Sequence, residues 1–555
     1  MRGIGMKGHD VKAHGTKART SAKRRRGAGR ALAAATLALA LAASGCSTGC
    51  SSGGAASGSA GDGEAARELS CGSTVDFYAE SADPAEGWNG WELEYYGVAE
   101  NLLKLTDDFD VEPWLALSCE QVDELTWTLE LRDDVYFTNG EKMTAESVKA
   151  CLERTYEQNA RAAETLDIDS IEADGQTLTI VTAEPLASFE NALCDPLFCV
   201  YYTGDDVDYA AYTPCTGPYR IEELVYEDYT VLVPNEDYWG GDPQLDRITL
   251  YTYFDADALT MALQTGEIQL IASPAASSIQ TLADAEGYEW VSQTSTRADF
   301  IRFNMGEGHE VVANDAVRLA VAYCLDREGY AEVICGGTEQ ACYGVYSPQL
   351  PFGGTDALEV TVGGQDLEAA AAALDAAGVV DTDGDGVREL PDGTPCVIVF
   401  YNCSNYERFV SLADDLQSNL AQVGIELDIV TVDYWLQDEE TYASADPDMT
   451  LDSYGMAPTG DAGYFISLCF DSEGSNNFGS YSNEELDALA DELDATFDED
   501  GRAELIAQIS QIVLDDAAYI FVANMETSFL TDGTVSGFAV APSEYYFITA
   551  ETTVE

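Results

Sequence analysis

Arg161 is one of only 26 Lys and Arg residues in a chain with 100 Asp and Glu. A planar guanidinium can hold a carboxylate through paired N–H donors, so Arg161 reads either as a surface ion-pair residue or as the anchor for an anionic ligand. Trp88 and Trp91 flank Asn89-Gly90, a turn dipeptide. Two indoles beside a turn are hard to bury completely, so at least one is expected to line a cleft. A third group is rich in oxygen: Asp381, Asp383, Asp385, Gly386, the Val387 carbonyl, Glu389 and Asp392 stand at the offsets of an EF-hand-like loop, a pattern suited to a hard cation. Asp at the twelfth position reaches less far than Glu, and Asp-Gly turns form without metal. The loop is therefore a candidate for structural calcium, and no cofactor is required.

Catalytic chemistry finds no support. No GxSxG, HExxH, Walker A or GxGxxG element stands in a suitable setting, and paired carboxylates are unavoidable among so many acids. The protein reads as a non-enzyme, with an extracellular hydrolase as a distant alternative. Outside a basic leader that holds His9 and His14, the chain has one histidine, His309, expected in a Gly-Glu surface turn. One imidazole cannot build a protein-only transition-metal site. The 14 cysteines show no CxxC spacing. Close groups, Cys194, Cys199 and Cys215 or Cys324, Cys335 and Cys342, could bridge in an oxidising exterior or remain buried thiols.

Residues 1–45 hold ten of the basic residues and one acid, Asp10, followed by the apolar run Ala31 to Ala43. Thirteen residues are too few to span a bilayer but suit a signal peptide. The run ends in LAASGC, which looks like a bacterial lipoprotein processing box with Cys46 as the lipidated residue. Arg24-Arg25-Arg26 allows twin-arginine export, but the following Gly-Ala-Gly departs from that motif and favours the general route. Residues 46–70 then read as a Gly/Ser/Ala tether. Beyond the leader the chain has 16 basic and 99 acidic residues, which excludes nucleic acid and docking on anionic lipid. Such a charge suits a solvated, self-repelling surface or attraction of cationic ligands.

The elements that must position these side chains are legible in part. Trp127, Leu129 and Leu131 alternate with Thr128, Glu130 and Arg132, the period of a half-buried strand. Asn139-Gly140 supplies a turn, and Thr144 caps a helix with Val148, Cys151, Leu152 and Thr155 or Tyr156 on its apolar stripe. Residues 88–103 read as a helix running through Val98, Leu102 and Leu103. Residues 170–183 and 216–253 read as antiparallel strands and hairpins, 260–266 as helix, 294–305 and 517–531 as strands, 366–377 as helix and 397–401 as a buried strand. Strand begins again at Met449, and 454–463 must be loop.

The run LRDDVYFTNGEKMTAESVKACLERT, from Leu131, resembles the signature of the family 5 extracytoplasmic solute-binding proteins that serve peptide and nickel ABC importers. Further similarity lies at Val98 to Leu105 with Pro113-Trp114-Leu115, at Thr216-Gly217-Pro218-Tyr219, at NEDYWG from Asn235 and at DTDGDGVRELPDGTP from Asp381. The resemblance implies an α/β, two-lobed periplasmic-binding-protein-like fold of the class II type, with an extra subdomain in the first lobe and a hinge between lobes. Residues 71–296 would form the first lobe, 297–517 the second, and 518–555 the return to the first. It also implies an extracytoplasmic, lipid-anchored monomer that passes a short peptide or small nickel-type chelate to an ABC permease with its ATPase subunits; a peptide-sensing receptor without transport is the nearest alternative. Aromatic residues before the first long helix line the family's pocket, which points to Trp88 and Trp91. Nickel-chelate binders place an arginine in the loop corresponding to Arg161, whereas the segment 195–202, DPLFCVYY, lacks a second base that some families carry. Peptide-binding relatives place a tryptophan and an aspartate in the 454–463 loop. Tyr454 takes the aromatic position, Ala457 stands near the acidic one, and Asp461 could substitute from farther on.

Overall fold

The strand Thr126–Leu131 buries Trp127, Leu129 and Leu131, with the Trp127 ring stacked on Phe189 at 4.5 Å. The chain reverses at Gly140, whose φ of 86° lies in the left-handed region that glycine enters without strain. The helix Ala145–Gln158 then begins with a reciprocal cap. Thr144 Oγ1 accepts from the Ser147 amide and Ser147 Oγ accepts from the Thr144 amide, an arrangement that contributes about 1 kcal/mol. Val148, Cys151, Leu152 and Thr155 form its buried stripe.

This computed structural model describes residues 66–555 apart from 76, 78, 80, 206, 405 and 433–438. The expected leader, Cys46 and most of the tether lie outside the described residues. The tether does not extend to residue 70, because Glu68–Ser73 is already a strand, paired in parallel with Arg247–Thr252. Leu69 and Cys71 explain the early start, since both are buried in the core. No helix among the described residues is long and apolar enough to cross a membrane.

The architecture is mixed α/β and organised on one sheet. Its strands run in the order Glu426–Val432, Val397–Cys403, Met449–Gly455, Glu289–Phe303, Tyr519–Thr531, Leu270–Ala272, Glu68–Ser73, Arg247–Thr252, Tyr229–Pro234 and Tyr219–Val225. The two longest, Glu289–Phe303 and Tyr519–Thr531, are antiparallel neighbours at the centre. Their ladder is continuous from Glu289 to Thr294 and resumes at Ala298, so residues 295–297 are unpaired on this side, while Arg297 pairs with Gly455 on the other. Such an irregularity bends a strand and re-aims its side chains. A separate four-stranded antiparallel sheet comprises Ala116–Gln121, Thr126–Leu131, Thr177–Thr182 and Ile168–Asp174.

Two apolar clusters sit at opposite ends of the main sheet: Leu69, Tyr96, Leu250 and Phe547 belong to one, and Phe303, Val321, Phe400 and Leu416 to the other. A third joins the small sheet, through Trp127 and Leu129, to Phe300, Phe465 and Tyr519.

Two local expectations are corrected and one open alternative is decided. The opening helix is only Asn89–Tyr95, and Leu103–Leu105 is a strand. Gly97 ends it at φ 69° in a local cap, its amide donating to the Glu94 carbonyl at 2.9 Å and the Val98 amide to the Leu93 carbonyl at 2.8 Å; a Cβ at Gly97 would also stand 2.6 Å from the Ile548 carbonyl oxygen. Asn89-Gly90 opens this helix and is not a turn. The cysteine groups 194/199/215 and 324/335/342 are buried free thiols, and burial pushes the Cys335 and Cys342 thiols up to about 12, which leaves them inert.

Candidate functional site: an aromatic cavity with one unpaired arginine

Gly90 places the opening helix. A Cβ there would meet the Pro196 carbonyl oxygen at 2.5 Å, so only glycine lets the helix lie against the short turn Pro196–Phe198. That turn is capped by Asp195, whose Oδ1 accepts from the Leu197 amide at 2.9 Å. The contact turns Trp91 inward, where its Nε1 donates to the Glu544 carbonyl oxygen at 2.7 Å. Trp88, just before the helix, stays 45% exposed. Asn159 brings the next segment alongside: its Nδ2 donates to the carbonyls of Ala85 and Gly87, and its Oδ1 accepts from the Arg161 amide. The Arg161 guanidinium consequently lies over the Trp88 ring, 3.5 Å from its centroid.

The opposite wall comes from the end of the strand Met449–Gly455, which carries Ser453 and Tyr454, and from Pro458 and Tyr464 beyond it. Tyr454 packs edge-on against Phe465 at 6.1 Å and its hydroxyl accepts from Asn476. Arg297 enters from the irregular stretch of the central strand, and Ser543, Glu544 and Tyr545 from the C-terminal segment. Together they enclose a cavity of about 270 Å³, just below the range of roughly 300–1,000 Å³ usual for small-molecule sites. Among the described residues that line it there is no histidine or cysteine.

The two arginines of the cavity differ in their partners. Arg297 is neutralised, with Nε and Nη2 at 2.8 and 2.7 Å from Glu544 Oε2 and Nη1 donating to the Ser453 carbonyl at 3.2 Å. Burial opposes its charge, but Glu544 outweighs burial and holds the guanidinium ionised. Arg161 forms no ion pair with a carboxylate among the described residues; its contact is the Trp88 face. Asp195 lies within its electrostatic reach. Burial raises the Asp195 carboxyl, while Arg161 and the Leu197 amide act against that rise. Burial also pushes the Tyr454 hydroxyl up to about 12 and raises Tyr464 further, so both stay neutral donors. The surface offers a ligand aromatic faces, neutral hydroxyls and one open guanidinium.

Of the residues expected from sequence, Trp88, Trp91, Arg161 and Tyr454 line this cavity. Asp461 does not. It is 8% exposed and its carboxylate accepts from Arg502 and from the Gly463 amide, because the loop folds Ala457 and Ala462 inward and turns the acid toward the helix Glu499–Asp515. In the acidic loop, Asp381, Asp383, Asp385 and Glu389 bring carboxylate oxygens within 4.8 Å of one another. Asp392 stands outside that group and caps the Thr394 amide, and Val387 takes part through its amide, which donates to Asp385. Asp381 accepts from the amides of Gly384 and Gly386, so the loop's own N–H groups use these oxygens. His309 is not in a surface turn: it is 8% exposed, with Nδ1 at 2.7 Å from Asp448 and Nε2 at 3.2 Å from Asp446.

Sequence reasoning missed Arg297, Asp195, Tyr464, Glu544 and Tyr545. A cation in the apolar strand EWVSQTSTRADFIRF was a usable signal for Arg297, though Arg302 in the same strand shares it; nothing local distinguishes Glu544 from the many other acids.

A nickel-binding protein NikA of Staphylococcus aureus is 27% identical over 83% of this chain and 89% of its own length. The crystal structure of NikA from Staphylococcus aureus in complex with Ni(L-His)2 superposes with a TM-score of 0.76 at 26% identity, covering 88% of this chain and 100% of that one. The oligopeptide-binding protein AppA of Bacillus subtilis, solved with a nonapeptide, shares the fold at a TM-score of 0.74 and 21% identity, over 88% of this chain and 99% of its own. The fold is thus the two-lobed α/β architecture of periplasmic binding proteins. The family model for the middle of the bacterial extracellular solute-binding proteins, family 5, matches residues 110–477, and with two-thirds of its length so matched the chain belongs to that family.

Proposed function

We propose that this protein captures a small solute bearing a carboxylate, either a short peptide or an amino-acid chelate of a transition metal such as nickel, and delivers it to an ABC permease driven by its ATPase subunits. The observation that carries this reading is the Arg161 guanidinium, held over Trp88 and making no ion pair among the described residues inside an aromatic cavity. A ligand carboxylate would complete its hydrogen bonding as a charge-assisted pair. The cavity volume supports a compact solute over a long peptide. For a chelate, the absence of lining imidazoles and thiols means that the chelator supplies most metal ligands and the protein recognises shape and charge. A solute touching Trp88 and Arg161 on one side and Tyr454 on the other binds the closed arrangement best, and so shifts a hinge equilibrium toward closure. The chain would work outside the cytoplasm as a monomer, held by lipid at Cys46 once the leader is removed.

Native mass spectrometry of the chain from Glu64 onward, purified without denaturation, tests this reading. Retained short peptides support peptide capture, and a small organic mass with a transition metal supports chelate capture. Retention that is equal in Arg161→Ala removes Arg161 from the site.

A further inference from the structure

Glu544 is held in place more firmly than a surface acid needs to be. It adopts φ 64°, in the left-handed region that a side chain with a Cβ rarely enters. Its amide donates to the Ala541 carbonyl, its own carbonyl accepts from Trp91 Nε1 and its Oε2 accepts from both Arg297 Nε and Nη2. One residue of the C-terminal segment thus engages the opening helix and the central strand, and through the Arg297 Nη1 contact it reaches Ser453 on the far wall. The other acids of the cavity are engaged elsewhere: Glu92 accepts from Tyr96 and Asp195 caps the Leu197 amide. Arg297 would otherwise be a second guanidinium facing the same solute.

We propose that Glu544 sets the charge selectivity of the cavity: by occupying Arg297 it leaves Arg161 as the single open guanidinium, so solutes presenting one anionic group are taken ahead of more anionic solutes of the same size. The inference rests on the reading of Arg161 as carboxylate anchor. Glu544 is here a positioning residue that acts through Arg297. Replacing its charge frees that fork for a second carboxylate, while the backbone contacts to Trp91 and Ala541 stay in place.

The test equilibrates the mature chain, Glu544→Gln and the double variant Glu544→Gln/Arg297→Gln with equimolar probe pairs, Gly-Gln against Gly-Glu and neutral nickel bis-histidine against dianionic nickel–EDTA. Retained masses are read by native mass spectrometry. The expected result is that wild type retains the less anionic member of a pair, that Glu544→Gln shifts the ratio about tenfold toward the more anionic member, and that the double variant loses this gain. A purely structural Glu544 would weaken all probes alike and leave the ratio unchanged, which overturns the proposal, as does a wild-type preference for the more anionic member. If Arg161→Ala retains every probe as well as wild type does, the anchor reading fails even where the Glu544 shift is present. Retention of no probe by any variant counts against both.

Discussion

Arg408 and Arg161 are guanidiniums in the same acid-rich chain, and their surroundings are opposite. Arg408 reaches Asp299 with Nε at 3.0 Å and Nη2 at 3.3 Å, and Asp299, fully buried, also accepts from the Tyr330 hydroxyl at 2.6 Å. Arg302 beside Asp452 and Arg502 on Asp461 repeat the pattern of a cation matched by an acid. Arg161 alone on its wall of the cavity lies on an indole without an acid. Where acids outnumber bases almost fourfold, an arginine finds a carboxylate easily. Arg161 makes no ion pair among the described residues and lies on an aromatic face at the cavity, which leaves its guanidinium for something that is not protein. Arg408, Arg302 and Arg502 hold the fold through acids, and the buried Arg327 does so through the Phe521 and Ala322 carbonyls; Arg161, at the cavity, is available to a ligand.

The largest expected effect breaks the matched side of this contrast. Asp299→Ala leaves Arg408 and Tyr330 facing an emptied buried site and should cost about 3–5 kcal/mol of stability, read as a lower denaturant midpoint with ligand capture lost only through unfolding. Arg161→Ala should do the reverse. Solute affinity should fall by about 1.5–3 kcal/mol, roughly ten- to a hundredfold, while the unfolding midpoint moves within about 0.5 kcal/mol; calorimetric titration alongside thermal unfolding separates the two. A large drop in the midpoint would place Arg161 among the structural arginines.

A pH experiment sharpens the comparison from the side of the acids. Glu100 is buried and accepts from Tyr238 and Trp239. Burial outweighs these donors and raises its carboxyl from 4.5 to about 7. The folded form therefore binds the proton more tightly than the unfolded chain, so this group's stabilisation is present below pH 4.5 and is lost as pH rises to about 7. Unfolding midpoints of wild type should fall across that window, and Glu100→Gln, which cannot ionise, should flatten the slope. The smallest effect concerns the platform under Arg161. Trp88→Leu removes a cation–π contact that contributes about 0.5–1 kcal/mol at an exposed position, and should weaken capture only a few-fold in the same titration.

The features legible in the sequence are local ones. The strand Thr126–Leu131, its turn and the capped helix can be read because alternation, a turn glycine and a capping threonine each act within a few residues. The same reasoning overruns the opening helix although its stop is local, a left-handed Gly97 whose amide and that of Val98 cap the Glu94 and Leu93 carbonyls. It takes Asn89-Gly90 for a turn because the demand on Gly90 comes from the Pro196 carbonyl. It places His309 on the surface because Asp446 and Asp448, which hold the ring, are equally remote in sequence.

The cavity divides in the same way. Trp88, Trp91, Arg161 and Tyr454 could be named from residue type and resemblance, since large aromatics near turns and a rare cation stand out in any acid-rich chain. By itself the sequence determined the family, the strand-turn-helix signature and the scarcity of cations that makes Arg161 conspicuous. Only the tertiary structure decided which arginine is left open. Arg297 and Arg161 carry the same charge, and what separates them is whether Glu544, brought back from the C-terminal segment and held at φ 64°, comes within 2.7 Å. Ionic pairing falls off over a few ångströms, so it depends on the folded distance between two groups and not on their separation along the chain.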